Sequence, residues 1–175
     1  MEKRVRPQMA AEGEAVFLEA MRGGWAAGHG RDNRTTFEKG SWRAEDQWVV
    51  GNGGHSAGWT MQFLYNEPFW QMHYQGRYDK RAIPFLKRAL MHTYTRNIFF
   101  VGRGPALYEE ENAIGLLRYE MRADTRPRSG EVFDGYDDFS GIEKVWLVQH
   151  DELNEHPFKN PLGFHRVQGM RLRFV

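Results

Sequence analysis

Several acids stand in strand-like surroundings in this chain: Glu45, Asp46, Glu120 and Glu143. A carboxylate that faces an aromatic cavity loses solvation. Its pKa rises, and it can then act as a general acid or base or bind a ligand cation. The plainer reading is an exposed face paired with Arg43, Arg118 or Lys144. His73 and Tyr74 are the proton-moving side chains of the aromatic stretch 58–76, and with Glu143 they form the acid–base set an enzyme would use. Trp42, Trp48, Trp59 and Trp70 could stack on a flat or cationic ligand, with Glu120 and His165 fixing its orientation. The competing reading of the tryptophans is core packing, although a buried indole N–H still needs a partner.

His73 and His165 sit on the last strand of each half of the chain and could converge as a proton shuttle or a metal pair. Against this, His73 lies three residues before Gly76 and His165 four before Gly169. Aligned on glycine, they point to opposite faces unless a bulge intervenes.

Other motifs carry less. "HDELNEH" (150–156) lacks the His-Glu-x-x-His spacing that places two histidines on one helix face, and it reads as a solvated loop. "GNGGHSAG" (51–58) is glycine-rich, but no Lys-Ser/Thr and no helix follow, so it is a hairpin loop rather than a phosphate cradle. On the open side of a cleft it could act as a lid with His55 at its tip. "DGYDD" (134–138) lacks the full calcium-loop pattern and reads as a turn. There is no Gly-x-Ser-x-Gly elbow, P-loop or dinucleotide fingerprint. No metal and no cofactor are expected.

Two helices and a set of strands must position these groups. Val16, Phe17, Ala20, Met21 and Trp25 make one apolar helical face, and Gly23, Gly24 and Gly28 end it. Ile83, Leu86, Ala89, Leu90 and Thr93 make another, with Asp79 as N-cap and Pro84 in the first turn. Period-two alternation marks strands at 41–50, 59–65 and 69–74, with a turn at Asn66-Glu67-Pro68. It places Met61, Phe63 and Tyr65 on one face. It marks strands again at 114–124, 141–151 and 170–175, the last placing Met170, Leu172 and Phe174 on one face. Segments 29–40 and 152–163 read as loops.

The order helix, three strands, helix, three strands is a repeat. The predicted fold is α+β: an internally duplicated helix-plus-three-antiparallel-strands unit, its helices packed on curved antiparallel sheet or sheets, with a cleft between the halves. One domain spans 1–175, the halves covering about 14–78 and 79–175.

Composition sets the outer limits. The 24 basic and 23 acidic residues leave a net charge of +1, which points to neither a nucleic-acid nor a membrane partner. The absence of cysteine excludes disulfides and thiol catalysis. The longest plainly apolar run, Ile98 to Val101, is far below the ~20 residues of a membrane span. The N-terminus has no apolar segment behind its basic residues, so a cytoplasmic location is expected.

Four stretches in order, "FLEAMRGGWAAG", "AGWTMQFLYNEPFWQMHYQGRYD", "FLKRALMHT" followed by "FVGRGPALY", and "DFSGIEKVW", resemble an uncharacterised bacterial domain family found alone or C-terminal to repressor-type helix-turn-helix domains. The resemblance covers roughly residues 14–150. It implies a glutamate early in each half. Glu143 fills that place in the second half, whereas "AGWTMQ" in the first half holds no acid. The helix-turn-helix segment is absent, so DNA binding is not implied.

Three functions follow as expectations. The first is a small-molecule-binding domain with an aromatic-lined cleft. The second is a cofactor-free isomerase, lyase, cyclase or hydrolase using Glu143, His73 or Tyr74. The third is an interaction protein whose aromatic sheet meets another chain. A homodimer is compatible with all three.

Overall fold

A computed structural model describes residues 7–30, 32–124, 138–148 and 161–172. Helix α1 (Pro7–Arg22) precedes strands β1 (Arg34–Lys39), β2 (Trp42–Val50), β3 (His55–Leu64) and β4 (Glu67–Tyr78). Helix α2 (Ile83–Thr95) precedes β5 (Leu107–Asn112), β6 (Gly115–Ala123), β7 (Asp138–Val148) and β8 (Gly163–Arg171). The fold is α+β. Among the described residues eight strands form one antiparallel sheet in the order β1-β2-β3-β4-β8-β7-β6-β5, which does not close. Among the described residues no helix is long and apolar enough to cross a membrane.

Four strands, not three, follow each helix. The strands the sequence reading lacked are β1 ("RTTFEK") and β5 ("LYEEEN"). Both are short, charged edge strands with almost no buried side chain, so they carry no hydrophobic alternation. Their backbone pairing holds them in place, and their charge discourages pairing with other chains.

The helices form at the expected stripes, except that Trp25 falls past the end of α1, in the 3₁₀ turn Trp25–Ala27. Val16, Phe17, Ala20 and Met21 of α1 are buried, and Gly23 and Gly24 end the helix by donating their N–H groups to Ala20 and Met21 carbonyls. The Asp79 side chain accepts the Arg81 N–H at 2.9 Å and caps the 3₁₀ turn Lys80–Ala82 that leads into α2. Pro84 falls in the first turn, where its missing N–H costs nothing.

The β3–β4 hairpin turns at Tyr65 and Asn66, both with positive φ (52° and 65°), a two-residue turn of the primed type. The strand therefore resumes at Glu67, and Pro68 is tolerated because pairing slips beside it. That bulge turns both Phe69 and Trp70 into the core.

The buried parity of every central strand faces the helices. Phe17 of α1 meets Trp70 edge-on at 5.1 Å, Phe99 at 5.4 Å and Tyr94 of α2 at 6.3 Å. On two strands the parity corrects the sequence reading. In β3 the buried residues are Thr60, Gln62 and Leu64, while Met61 and Phe63 are half-buried on the outer face and Tyr65 is exposed. The inner polar residues are tolerated because they are bonded: Thr60 donates to Asp46 and Gln62 donates to the Gly13 carbonyl of α1. The last strand, expected at 170–175, is β8 and pairs over Gly163–Arg171 instead; its inner residues are Gly163, His165, Val167 and Gly169, Met170 is on the outer face, and Phe174 lies outside the described residues. Segments 134–137 and 150–156 lie outside the described residues, and with them most of "DGYDD" and all of "HDELNEH".

Candidate functional site

A line of residues crosses the inner face of the sheet. Register places Ser56 of β3 opposite Gly76 of β4, Gly76 opposite His165 of β8, and His165 opposite Glu143 of β7. Gly76 is what lets the line connect. A Cβ there would run into the Phe164 carbonyl and sit 2.8 Å from His165 Cδ2. With only hydrogen at that position, the imidazole lies across β4 and reaches Ser56. His165 Nε2 is 2.8 Å from Ser56 Oγ, and His165 Nδ1 is 3.1 Å from Glu143 Oε1.

Glu143 is the hub. Arg103, in the segment after α2, donates Nη2 to its Oε1 at 2.8 Å and Nε to its Oε2 at 3.2 Å. The Tyr119 hydroxyl of β6 donates to Oε2 at 2.9 Å and accepts the Gly104 N–H at 3.0 Å. Burial opposes the charge on Glu143 most strongly. The Arg103 guanidinium and the His165 bond together outweigh it and hold the carboxyl well below the usual range. An ionised carboxylate only accepts, so His165 Nδ1 carries hydrogen and, in the neutral ring, Nε2 accepts from the Ser56 hydroxyl. The Tyr78 ring packs edge-on against His165 at 4.8 Å. Among the described residues its buried hydroxyl, near Glu143, completes no hydrogen bond of good geometry.

A second buried carboxylate lies beside this line. Asp46 Oδ1 accepts from Thr60 at 2.9 Å and from the Tyr74 hydroxyl at 3.1 Å. Burial pushes the Asp46 pKa up, against the pull of Thr60, Arg103 and Tyr74. Burial and the Asp46 charge push the Tyr74 hydroxyl up as well. The Arg103 guanidinium sits 4.9 Å from the Tyr74 ring centroid and ties the two clusters together. Here too a glycine makes room: a Cβ on Gly58 would lie 2.5 Å from the Tyr74 hydroxyl oxygen.

Part of this network lines a cavity of about 320 Å³ under the helices. Asp46, Ser56, Tyr74, Arg103 and His165 supply its polar side. Met21, Trp25, Trp48, Ile83, Leu86 and Leu90 supply apolar walls, and the turn 51–54 forms part of the rim. The turn takes this path through Gly53 and Gly54, whose φ values are +72° and +80°.

The candidate residues separate clearly. Glu143, Tyr74 and His165 meet at the inner network. Trp48 lines the cavity. Trp42 and Trp70 are core: Trp42 packs edge-on with Phe69 at 4.8 Å, and Trp70 is wholly buried. Trp59 lies half-buried on the outer face, opposite His73 in register. His73 is exposed there beside Gln71, so it cannot act with Glu143 and Tyr74. Glu120 also faces outward, opposite Lys144 and near Arg118 and Arg122.

Ser56, Thr60, Tyr78, Arg103 and Tyr119 belong to the network but went unremarked in the sequence. One signal was available for Arg103, a lone cation inside the apolar and glycine-bounded run "FFVGRGPAL". Ser56 offered none, since its role depends on a partner 109 positions away. Among the described residues no group of three or more His, Asp or Glu could hold a metal ion.

Comparison with protein-family models, curated proteins and solved structures finds no match for this chain.

Proposed function

We propose that this protein binds a small organic molecule in the cavity beneath its helices. The observation that carries this reading is the composition of that cavity: apolar walls around a polar side built from buried, bonded Asp46, Arg103 and His165. Sites for small molecules have this make-up, with apolar area for affinity and a few fixed polar groups for orientation. A volume of about 320 Å³ is at the lower end of the usual range for such sites. Burying charge is an inefficient way to stabilise a fold, since apolar residues of similar volume do as well or better. A ligand that needs those charges gives them a purpose.

We read the order helix-plus-four-strands, helix-plus-four-strands, mirrored about β4 and β8, as a duplication, and the cavity as a cleft between its halves. Residues from both sides of Tyr78 line it, which supports this reading.

Native mass spectra of freshly purified protein, recorded before and after denaturation, test the proposal. A reproducible added mass lost on denaturation is expected. Trp25 and Trp48 also line the cavity, so titration with the fluorescent apolar dye ANS should change tryptophan emission. A Leu86→Trp variant, which fills the cavity, should abolish that change. No added mass, together with a dye response unaltered by Leu86→Trp, would reject the reading.

A further inference from the structure

We propose that Ser56, His165 and Glu143 form an acyl-transfer centre that cleaves a small apolar carboxylic ester. The inference rests on the binding reading, because the substrate must enter the same cavity. It goes beyond that reading by assigning a nucleophile and a reaction.

The geometry satisfies each role of a nucleophile, a base and an orienting acid. Ser56 Oγ and His165 Nε2 are 2.8 Å apart, within direct proton-transfer reach. Glu143 holds the far side of the ring at 3.1 Å, which fixes both the tautomer and the plane of the imidazole. Arg103 and Tyr119 in turn hold Glu143, so the acid cannot rotate away. Ser56 and His165 both line the cavity, whereas Glu143 lies behind them, wholly buried. That is the arrangement the chemistry requires. The reacting hydroxyl and base face substrate, and the positioning carboxylate stays out of reach.

The steps balance without a further reagent. Ser56 Oγ attacks the ester carbonyl carbon as its proton passes to His165 Nε2. The tetrahedral intermediate collapses, the bond to the alcohol oxygen breaks, and His165 returns the proton to the leaving alkoxide. Water then attacks the acyl-Ser56, again losing a proton to His165, and the carboxylic acid leaves with Ser56 reprotonated. Arg103 also lines the cavity, and its guanidinium is the cationic group assigned to the oxyanion. The apolar walls, Trp48 and Leu90 among them, suit a short acyl or aryl group rather than a charged one.

The test uses the full chain with p-nitrophenyl butyrate and with a fluorophosphonate ester, in wild type and Ser56→Ala. ANS titration and thermal melting run alongside. Wild type should release p-nitrophenol above buffer and gain one phosphonyl group, mapped by peptide mass to Ser56. Ser56→Ala should lose the adduct and at least about 100-fold in turnover while keeping its melting temperature and dye response. Wild type without adduct or turnover, but with intact dye binding, would overturn the acyl-transfer centre and leave the binding reading standing. Turnover undiminished in Ser56→Ala would overturn it as well. Loss of dye binding in wild type would fail both readings at once.

Discussion

Replacing Glu143 by glutamine tests whether the buried network is held together by charge. Glu143 is wholly buried and the Arg103 side chain is 7% exposed, so neither can turn to water when the other is neutralised. Removing one partner of such a pair leaves an uncompensated buried charge and costs about 3–5 kcal/mol. For a chain of this size that lowers the melting temperature by roughly 6–20 °C. The contact of Arg103 with the Tyr74 ring survives and keeps the cost from going higher. Arg103→Met should cost a similar amount, because it strands the carboxylate. The double variant should cost less than the two single losses together, by at least about 2 kcal/mol. Acid titration supplies a second reading. Although burial opposes its charge, Arg103 and His165 hold the folded Glu143 carboxyl below its unfolded value of about 4.3. Its stabilisation is therefore present above about pH 4.5 and is lost as the pH falls toward the folded pKa. The gap between wild type and Glu143→Gln should narrow over that descent. Urea unfolding followed by tryptophan fluorescence, repeated from neutral to acid pH, measures both effects. A loss under about 1 kcal/mol, or a gap that stays constant with pH, would refute the account of Glu143 as the charged hub.

Gly76→Ala should destabilise by about 2–3 kcal/mol through overpacking, since the new methyl meets the Phe164 carbonyl and the His165 ring. It should also shift the His165 imidazole resonances in NMR spectra. Asp46→Asn keeps the Oδ1 acceptor for Thr60 and Tyr74. Burial raises the folded Asp46 pKa, so wild type loses stability as the pH climbs from about 4 through that value. The variant should therefore match or exceed wild type by about 1 kcal/mol at neutral pH and lose that advantage near pH 4, as thermal melts at the two values would show. Glu120→Gln, on the outer face, should change stability by less than about 0.5 kcal/mol and leave ANS affinity unaltered.

Periodicity made the helices legible. The stripe Leu86, Ala89, Leu90 and Thr93 is buried as its spacing requires, while Asp79 caps the 3₁₀ turn before α2 rather than α2 itself, whose N-cap is Ala82. Strands β2, β3, β4, β6 and β7 were legible for the same reason, whereas β8 was displaced to 170–175 because its inner Gly163, His165 and Gly169 break the apolar alternation. Edge strands β1 and β5 were not legible, because backbone pairing leaves no hydrophobic signature when little is buried. Parity failed at β3 because apolar alternation says which residues share a face, not which face is covered. Met61 and Phe63 share one, yet the helices cover Thr60 and Gln62, whose partners are on β2 and α1. Of the site, the sequence marked Glu143, Asp46, Tyr74 and His165 individually as titratable groups. Their assembly was illegible, because it depends on strand order and on two glycines that clear space for rings.

The join between β4 and β8 has a kinetic consequence. Elsewhere in the sheet each strand pairs with its sequential neighbour, so each set of four closes through local contacts. The central join alone brings distant segments together, and its loop-closure entropy must be met before its contacts repay it. Refolding should therefore form the two meanders before the seam, and native-state hydrogen exchange should show the β4–β8 amides opening as one unit. Ser56 stands on one side of that seam, and His165 and Glu143 on the other. The site belongs to the joined sheet: neither meander holds these three residues together by itself.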